Sequence, residues 1–254
     1  MIESITWAAA GTGFTFAMTV LGAATVFFFA GTPRQRCQRA MLGFAAGVMT
    51  AASVWSLLLP AIAKAQERGL PGWLPAAVGM LGGVAFLAAL DALLPQLRRL
   101  RKGEGTSVSR RSALLAAAIT LHNVPEGMAV GLAFALASRG ESLAGAAALA
   151  MGIGIQNFPE GAAVALPLRQ EGCSRRRAFA GGALSGAVEP VFGVLVVLIA
   201  AEAAAAMPWL LSFAAGAMLY VVVEELIPQA HSRAGTCGFV LGFLVMMVLD
   251  VALG

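Results

Sequence analysis

The sequence predicts an all-α integral membrane protein with eight transmembrane helices. Of its 254 residues, 59% are hydrophobic and only 12% are charged, and the mean hydropathy of +0.83 lies well above that of soluble globular domains. The apolar segments are continuous and long enough to cross roughly 30 Å of hydrocarbon, without the alternation of a transmembrane barrel. Helices are therefore expected to satisfy the backbone inside the bilayer.

The predicted spans form a single transmembrane domain over residues 1–254, joined by short connections. They lie near residues 5–30, 40–62, 73–95, 112–137, 143–168, 178–200, 208–229 and 235–253. Of the 17 Lys and Arg residues, 14 fall in the odd-numbered connections, six of them in the basic connection 96–111. The positive-inside rule places these connections in the cytoplasm and both termini on the extracellular or periplasmic side.

The basic residues and the cysteines bear on partners and compartment. A basic connection beside the membrane faces anionic lipid headgroups, so no nucleic-acid partner is expected. Cys37, Cys173 and Cys237 all fall in or beside predicted cytoplasmic connections, where a disulfide does not persist, so three free thiols are expected.

A polar hexapeptide occurs twice within the apolar segments. HNVPEG at 122–127 returns as QNFPEG at 156–161, and because the two copies lie on consecutive spans they run antiparallel. A shorter similarity links GFAAGVM at 43–49 in span 2 with SFAAGAM at 212–218 in span 7. Together these matches predict inverted repeats, with a binding site near the membrane midplane.

Each hexapeptide is built as a cluster of possible ligands. The polar residues fall at positions i, i+1 and i+4, so His122 stacks over Glu126, and Gln156 over Glu160. The proline at i+3 removes a backbone donor and is expected to break each helix, and the following glycine allows a neighbouring helix to approach closely.

Three glutamates at mid-membrane depth indicate a cation site. Glu126, Glu160 and Glu189 in span 6 each cost roughly 2.5 to 3.5 kcal/mol on insertion scales, and no Lys or Arg lies in the membrane core. Protons or a bound cation must therefore neutralise them. Imidazole, carboxylate and amide oxygens together suit Zn²⁺, Fe²⁺ or Mn²⁺ better than Na⁺ or K⁺.

These motifs resemble the ZIP family of divalent-metal transporters. The match rests on HNVPEG, on QNFPEG and on a glutamate in span 6, while FAAGVM in span 2 and VVVEELIP in span 7 resemble its GufA-like prokaryotic branch. The resemblance implies zinc uptake into the cytoplasm, a homodimer, and alternating access in which spans 1, 4, 5 and 6 move against spans 2, 3, 7 and 8. A compact chain without an ectodomain favours a bacterial inner membrane.

The resemblance also implies which side chains hold the metal. The ligand set is His122, Asn123, Glu126, Gln156, Asn157, Glu160, Glu189 and Met49. His122 and Gln156 belong to the principal position with the two motif glutamates, and Met49 supplies a thioether. Asn123, Asn157 and Glu189 belong to a second position that shares the same glutamates. Some relatives carry Asp where this chain carries Asn157, which removes one negative charge from the second position.

Span 7 carries further ionisable residues on its cytoplasmic half. Glu224 and Glu225 lie on adjacent helical faces, so one of them is expected to line an exit path, with His231 as a further candidate at the cytoplasmic end. Asp91 and Asp250 fall near the ends of spans 3 and 8 and are expected at the membrane interface.

Transport is not the only chemistry that the carboxylates allow. A proton or monovalent-cation channel would use the same residues, and an intramembrane metalloprotease would use the same metal ligands, although no HExxH pair is present. The expected function is transport, not enzymatic. Its substrate is Zn²⁺, with Fe²⁺, Mn²⁺ and Cd²⁺ as further candidates, and no organic cofactor is expected.

Overall fold

The computed structural model describes residues 2–28, 35–100, 110–202 and 204–253, and these ranges contain helices and turns but no β-strand. The α-helices are α1 (Ile2–Ala24), α2 (Gln35–Ala52), α3 (Leu59–Gln66), α4 (Trp73–Leu100), α5 (Arg110–Ala137), α6 (Leu143–Gln170), α7 (Arg175–Gly186), α8 (Val188–Glu202), α9 (Met207–Val221), α10 (Ile227–Ala230) and α11 (Arg233–Leu253). Short 3₁₀ turns cover Thr25–Phe27 and Ala204–Ala206. The predicted all-α class is confirmed.

Six helical segments have both the length and the apolarity of a membrane span. They are Ile2–Phe27, Gln35–Gln66, Trp73–Leu93, Arg175–Ala200, Met207–Ala230 and Arg233–Leu253, and they coincide with six of the eight predicted spans. The two motif helices, α5 and α6, are not among them, although each has 28 residues. Their central amides, glutamates and prolines lower the mean hydropathy of segments that are long enough to cross.

The helices extend further than the hydropathy pattern predicted. The basic connection expected over 96–111 is shorter on both sides, because α4 continues to Leu100 and α5 begins at Arg110. Residues 101–109, which carry part of that connection, lie outside the described residues.

Two segments of the bundle adopt π-helical geometry. Ser53–Leu58 joins α2 to α3, and Val222–Leu226 joins α9 to α10. Each lies within the turn before a proline, Pro60 or Pro228, whose ring would clash with the carbonyl four residues earlier in a regular α-helix. Because each follows one of the FAAG segments, the similarity between spans 2 and 7 extends to the backbone.

Glycines bring the helices of the bundle into backbone contact in two groups. One group contains α1, α5, α6, α7 and α8, and the other contains two glycine-packed pairs, α2 with α11 and α4 with α9. In the second group, a Cβ at Gly43 would clash with the carbonyl of Gly235, and a Cβ at Gly216 with the carbonyl of Met80. Such close approach stabilises helix pairs in a membrane, where apolar side chains gain little from leaving lipid.

Polar contacts join the two groups at one end of the bundle. Lys64 forms an ion pair with Glu141, and the Ser142 hydroxyl donates a hydrogen bond to the carbonyl oxygen of Leu253. Ser56 donates to the Asp250 carboxylate, beside a cavity of about 360 Å³. Asp250 was expected at the interface; it is partly buried there and takes part in helix packing.

Candidate metal site

The two motif helices run unbroken through their prolines. Pro125 lies inside α5 and Pro159 inside α6, so the expected helix break at each motif is wrong. Each proline still removes one backbone donor, but the surrounding turns keep their own hydrogen bonds and are packed against neighbouring helices. The motif side chains therefore project from continuous helices.

The glycine after each glutamate allows the backbone of one neighbouring helix to contact each motif. A Cβ at Gly127 would clash with the backbone of Glu189, and a Cβ at Gly161 would clash with the carbonyl of Thr19. The expected close approach is confirmed at both positions. It presses α5 against the start of α8 and α6 against α1, and so brings Glu189 beside the first motif.

The junction between α7 and α8 supplies two polar groups to the site. Ser185 lies in the last turn of α7, where backbone carbonyls have no partner within the helix, and the Asn123 amide Nδ2 donates to the Ser185 carbonyl at 2.8 Å. Glu189 lies in the first turn of α8, where the helix dipole favours a carboxylate.

The motif side chains are enclosed by protein rather than by lipid. Six polar side chains are buried in the region of the two motifs: Asn123, Glu126, Gln156, Asn157, Glu160 and Glu189. Five of them have no exposed surface at all, and Glu160 keeps only 4%. Buried carboxyl and amide groups persist in a membrane protein only where they pair or bind a ligand.

The amide nitrogens of the site are all directed at protein acceptors. Gln156 Nε2 donates to Glu126 Oε1 at 2.5 Å, joining the two motifs, and Asn157 Nδ2 donates to Glu189 Oε2 at 2.9 Å. Asn123 uses its amide nitrogen on the Ser185 carbonyl. These bonds fix the orientation of each amide, so each amide oxygen points away from its own donor contact.

Six acceptor oxygens of the site have no hydrogen-bond partner among the described residues. They are Asn123 Oδ1, Glu126 Oε2, Gln156 Oε1, Asn157 Oδ1, Glu160 Oε1 and Glu160 Oε2. Leaving such groups unpaired is costly, at about 1 to 3 kcal/mol for a neutral group and more for a charge. Because all six are acceptors, the group that satisfies them must be a hydrogen-bond donor or a cation.

Among the described side chains, no basic group forms an ion pair with the site. Within the described ranges the ion pairs all involve Lys64, at the far end of α3. Glu126 is close enough to Glu160 and Glu189 for their carboxylates to repel it. A bound cation would remove this repulsion and would satisfy the free oxygens at the same time.

Carboxylates alone do not complete a metal cluster. Among the described side chains, no three carboxylate, imidazole or thiol groups come close enough to hold an ion together. His122 lies in α5 one turn before Glu126, but its side chain is outside the described part of the structure. The described donors are therefore the glutamates together with the amide oxygens.

The remaining predicted ligand lies in the core of the bundle. Met49 in α2 is fully buried and belongs to the same apolar cluster as Ala129 and Ile153. These two residues stand three positions after Glu126 and three before Gln156, so the cluster borders the site.

Sequence reasoning missed a row of threonines on α1. Thr12, Thr15 and Thr19 are fully buried in an otherwise apolar helix. The Thr19 hydroxyl donates to Glu189 Oε1 at 3.3 Å, and the Thr15 carbonyl accepts from Asn157 Nδ2 at 3.4 Å. Their i, i+3, i+7 spacing, which places three hydroxyls on one helical face, was the available signal.

The residues expected on an exit path lie apart from this cluster. Glu224 and Glu225 are in the π-helical segment Val222–Leu226; Glu224 is exposed, whereas Glu225 is partly buried and accepts a hydrogen bond from Gln229. His231 follows α10 and is exposed. Asp91, expected at the interface, is partly buried in α4 and accepts from the Tyr220 hydroxyl at 3.5 Å.

The fold and the site together define a class of protein. It is an α-helical integral membrane protein whose interior buries a cluster of unpartnered oxygens, contributed mainly by the two copies of one motif.

Comparison with known proteins identifies the family within that class. The family model described as the ZIP zinc transporter matches residues 99–250. Zinc transporter ZIP11 of Homo sapiens is 38% identical, with 99% of this chain and 98% of the relative aligned. Zinc transporter GufA of Myxococcus xanthus is 41% identical over 79% of this chain and 81% of its own. Zinc transporter ZIPB of Bordetella bronchiseptica is 40% identical over 94% of this chain and 79% of its own. The chain belongs to the ZIP zinc transporter family.

Proposed function

We propose that this protein carries divalent metal ions, with Zn²⁺ as the principal substrate, across the membrane into the cytoplasm. The observation that carries the proposal is the set of six buried, unpartnered acceptor oxygens contributed by both motifs. The names of its relatives, all described as zinc transporters, agree with this chemistry. Fe²⁺, Mn²⁺ and Cd²⁺ are further candidate substrates, because the same donor types accept them.

The substrate ion would be held between α5 and α6. Glu126, Gln156 and Glu160 contribute free oxygens there, and His122 extends the set from one turn before Glu126. Met49 is the proposed thioether ligand from α2. The free amide oxygens of Asn123 and Asn157, together with Glu189, would form the second position, which shares the motif glutamates.

We infer a topology of eight spans with both termini outside the cytoplasm. The six apolar spans supply most of it, and α5 and α6 complete it because both are long enough to cross and are packed inside the bundle. The excess of basic residues in alternate connections supports the orientation. The GufA and ZIPB relatives favour a bacterial plasma membrane.

The proposal also includes a conformational change and an oligomeric state. Alternating access would move the helix group of α1, α5, α6, α7 and α8 against the group of α2, α4, α9 and α11. Glycine contacts join the helices of the first group and, in the second, hold α2 to α11 and α4 to α9. Glu224, Glu225 and His231 are the proposed exit residues. The homodimer rests on the family resemblance.

Uptake of radioactive ⁶⁵Zn²⁺ into proteoliposomes tests the proposal. Wild type, His122→Ala and Glu126→Ala would be compared, with Glu3→Ala as a matched control because Glu3 is an exposed glutamate in the first turn of α1. Saturable uptake is expected in wild type and control and should be lost in the two site variants. Competition with Fe²⁺, Mn²⁺ and Cd²⁺ ranks the metals.

The contrary result is equally specific. If Glu126→Ala and Glu160→Ala both take up zinc at the wild-type rate, the ion does not pass through this site. A proton or monovalent-cation conductance without zinc uptake would favour the channel function, and metal-dependent thermal stabilisation separates the two because tight binding raises the melting temperature by mass action.

A further inference from the structure

A surface groove lies between the first turns of α2 and α11, away from the candidate metal site. The groove encloses about 710 Å³ and opens to the surface of the bundle. Arg36 and Arg233 line it in the first turns of α2 and α11, and Met41, Phe44 and Leu241 line it one to two turns further along the helices. None of these residues takes part in the metal site.

The two helices that form the groove run in the same direction. Gly43 meets Gly235 and Gly47 meets Phe239, so the contacts advance together along both chains. Gly238 lies against the carbonyl of Ala40, so small residues form the floor of the groove where the two helix backbones touch.

The polarity of the groove changes along the membrane normal in the same order on both helices. From Arg36 to Phe44 and from Arg233 to Leu241 the chain advances eight residues, or about 12 Å along each helix. Charge therefore lies at the helix starts and apolar surface lies about two turns deeper. A phospholipid has the same order, with a charged headgroup above an acyl chain.

The two guanidinium groups carry charge that the described residues do not neutralise. Both arginines are exposed, and within the described ranges neither forms an ion pair with a carboxylate. Guanidinium groups bind phosphate oxygens through paired N–H donors, and basic pockets between membrane helices are typical sites for anionic headgroups.

We propose that this groove binds an anionic phospholipid of the leaflet at the start of α2 and α11. The lipid phosphate lies between Arg36 and Arg233, and one acyl chain follows Met41, Phe44 and Leu241 between the helices. The basic-residue distribution makes this the cytoplasmic leaflet. The lipid fastens α2 to α11 at the end where their first turns meet.

Two native thiols report on occupancy of the groove. Cys37 and Cys237 are exposed and line it, whereas Cys173 is buried in a separate cluster with Ala178 and Leu168. The purified full chain in detergent micelles would be labelled with a maleimide after addition of dioleoyl phosphatidylglycerol or dioleoyl phosphatidylcholine. Peptide mass spectrometry then gives the labelling rate at each cysteine.

Phosphatidylglycerol should slow the labelling of Cys37 and Cys237 several-fold, and phosphatidylcholine should not. The Arg36→Gln/Arg233→Gln variant should lose this protection. The matched control is Arg175→Gln/Arg176→Gln, which removes two exposed arginines at the start of α7, outside the groove, and should keep it. Thermal unfolding in the same micelles should show a rise in melting temperature with phosphatidylglycerol that follows the same pattern.

Four results would overturn the proposal. Equal protection by the zwitterionic lipid would remove the role of the arginines, as would full protection of the groove variant by phosphatidylglycerol. Protection by inorganic phosphate alone would remove the role of the acyl chain. Protection that rises with protein concentration, without added lipid, would show that a second copy of the chain covers the groove. The wild-type comparison of the two lipids stands even if a variant folds poorly.

Discussion

The two copies of the hexapeptide share most of their letters but differ in what their side chains do. In α5, Asn123 donates to the Ser185 backbone carbonyl, and Glu126 accepts from Gln156. In α6, Asn157 donates to the Glu189 carboxylate, while both oxygens of Glu160 have no partner among the described residues. The asparagine of the first copy therefore bonds only to backbone, whereas that of the second bonds a carboxylate as well as the Thr15 carbonyl.

The difference comes from the neighbours of each helix. α5 faces the junction of α7 and α8, where the helix end presents free carbonyls, whereas α6 faces the threonine row of α1. The amide nitrogen of an asparagine in this motif therefore either anchors a neighbouring helix end or orients a carboxylate, depending on the helix opposite it. Glu160 is the glutamate of the site with both carboxylate oxygens unpartnered among the described residues, so it is expected to be stabilised most by a bound cation.

Replacing Glu160 tests the largest consequence of that asymmetry. Glu160→Gln should weaken zinc binding by at least about 100-fold, because it removes a charged ligand where loss of a supporting residue alone costs about 10- to 100-fold. The melting temperature of the metal-free protein should stay the same or rise, since an unpaired buried charge is removed. Chelator competition and thermal unfolding measure the two effects.

Loss of stability without loss of zinc affinity in Glu160→Gln would reverse the assignment and make Glu160 a packing residue. The matched variant is Glu126→Gln, which should also lose affinity but should gain less stability in the metal-free state, because Glu126 already accepts a hydrogen bond from Gln156.

Acidification should weaken transport by acting on both copies together. Carboxylate and imidazole ligands must be deprotonated to bind metal, so protons compete with zinc and uptake should fall as external pH decreases. Initial rates at subsaturating ⁶⁵Zn²⁺, measured from about pH 8 to about pH 5, give the profile. A flat profile over this range is incompatible with a site built from glutamates and a histidine.

The two asparagines should separate affinity from stability. Asn123→Ala leaves the Ser185 carbonyl without its donor, so it should lower the free energy of unfolding by about 1 to 3 kcal/mol. Asn157→Ala removes a partner of Glu189 and should lower zinc affinity by about tenfold, the smaller end of the range for supporting residues. Denaturation measures the change in stability of both variants, and zinc titration measures the change in affinity. If the two variants had the same effect in each assay, the two motif copies would be equivalent.

The threonine row should give the smallest effect. Thr19→Val keeps the shape of the side chain but removes the donor to Glu189. Because this hydrogen bond is long, at 3.3 Å, its net contribution should be about 0.5 to 1.5 kcal/mol, so zinc affinity should fall about threefold. Thr19→Ser should restore it. Thr12→Val is the control, because the Thr12 hydroxyl bonds only the Ala8 carbonyl of its own helix. An identical loss in Thr12→Val would indicate a packing effect.

Composition and periodicity predicted much of the architecture. The long apolar segments predicted an all-helical membrane protein. The two hexapeptides, 34 residues apart, placed four polar residues on consecutive helices: His122, Glu126, Gln156 and Glu160. The glycines after each glutamate correctly predicted close helix contacts. Such features are local, because helix length and the facing of residues i and i+4 depend only on the chain itself.

Other features depended on which helices meet, which only the tertiary structure decides. The prolines were expected to break α5 and α6, yet both helices continue because packing supports the turns around each proline. At Pro60 and Pro228, by contrast, the helix before the proline changes from α-helical to π-helical geometry. The partners of Asn123, Asn157 and Glu189 come from α7, α8 and α1, far away in sequence, so no local pattern could assign them. The chain alone determined where the candidate ligand types lie, and the packing of distant helices decided which of their oxygens have no partner among the described residues.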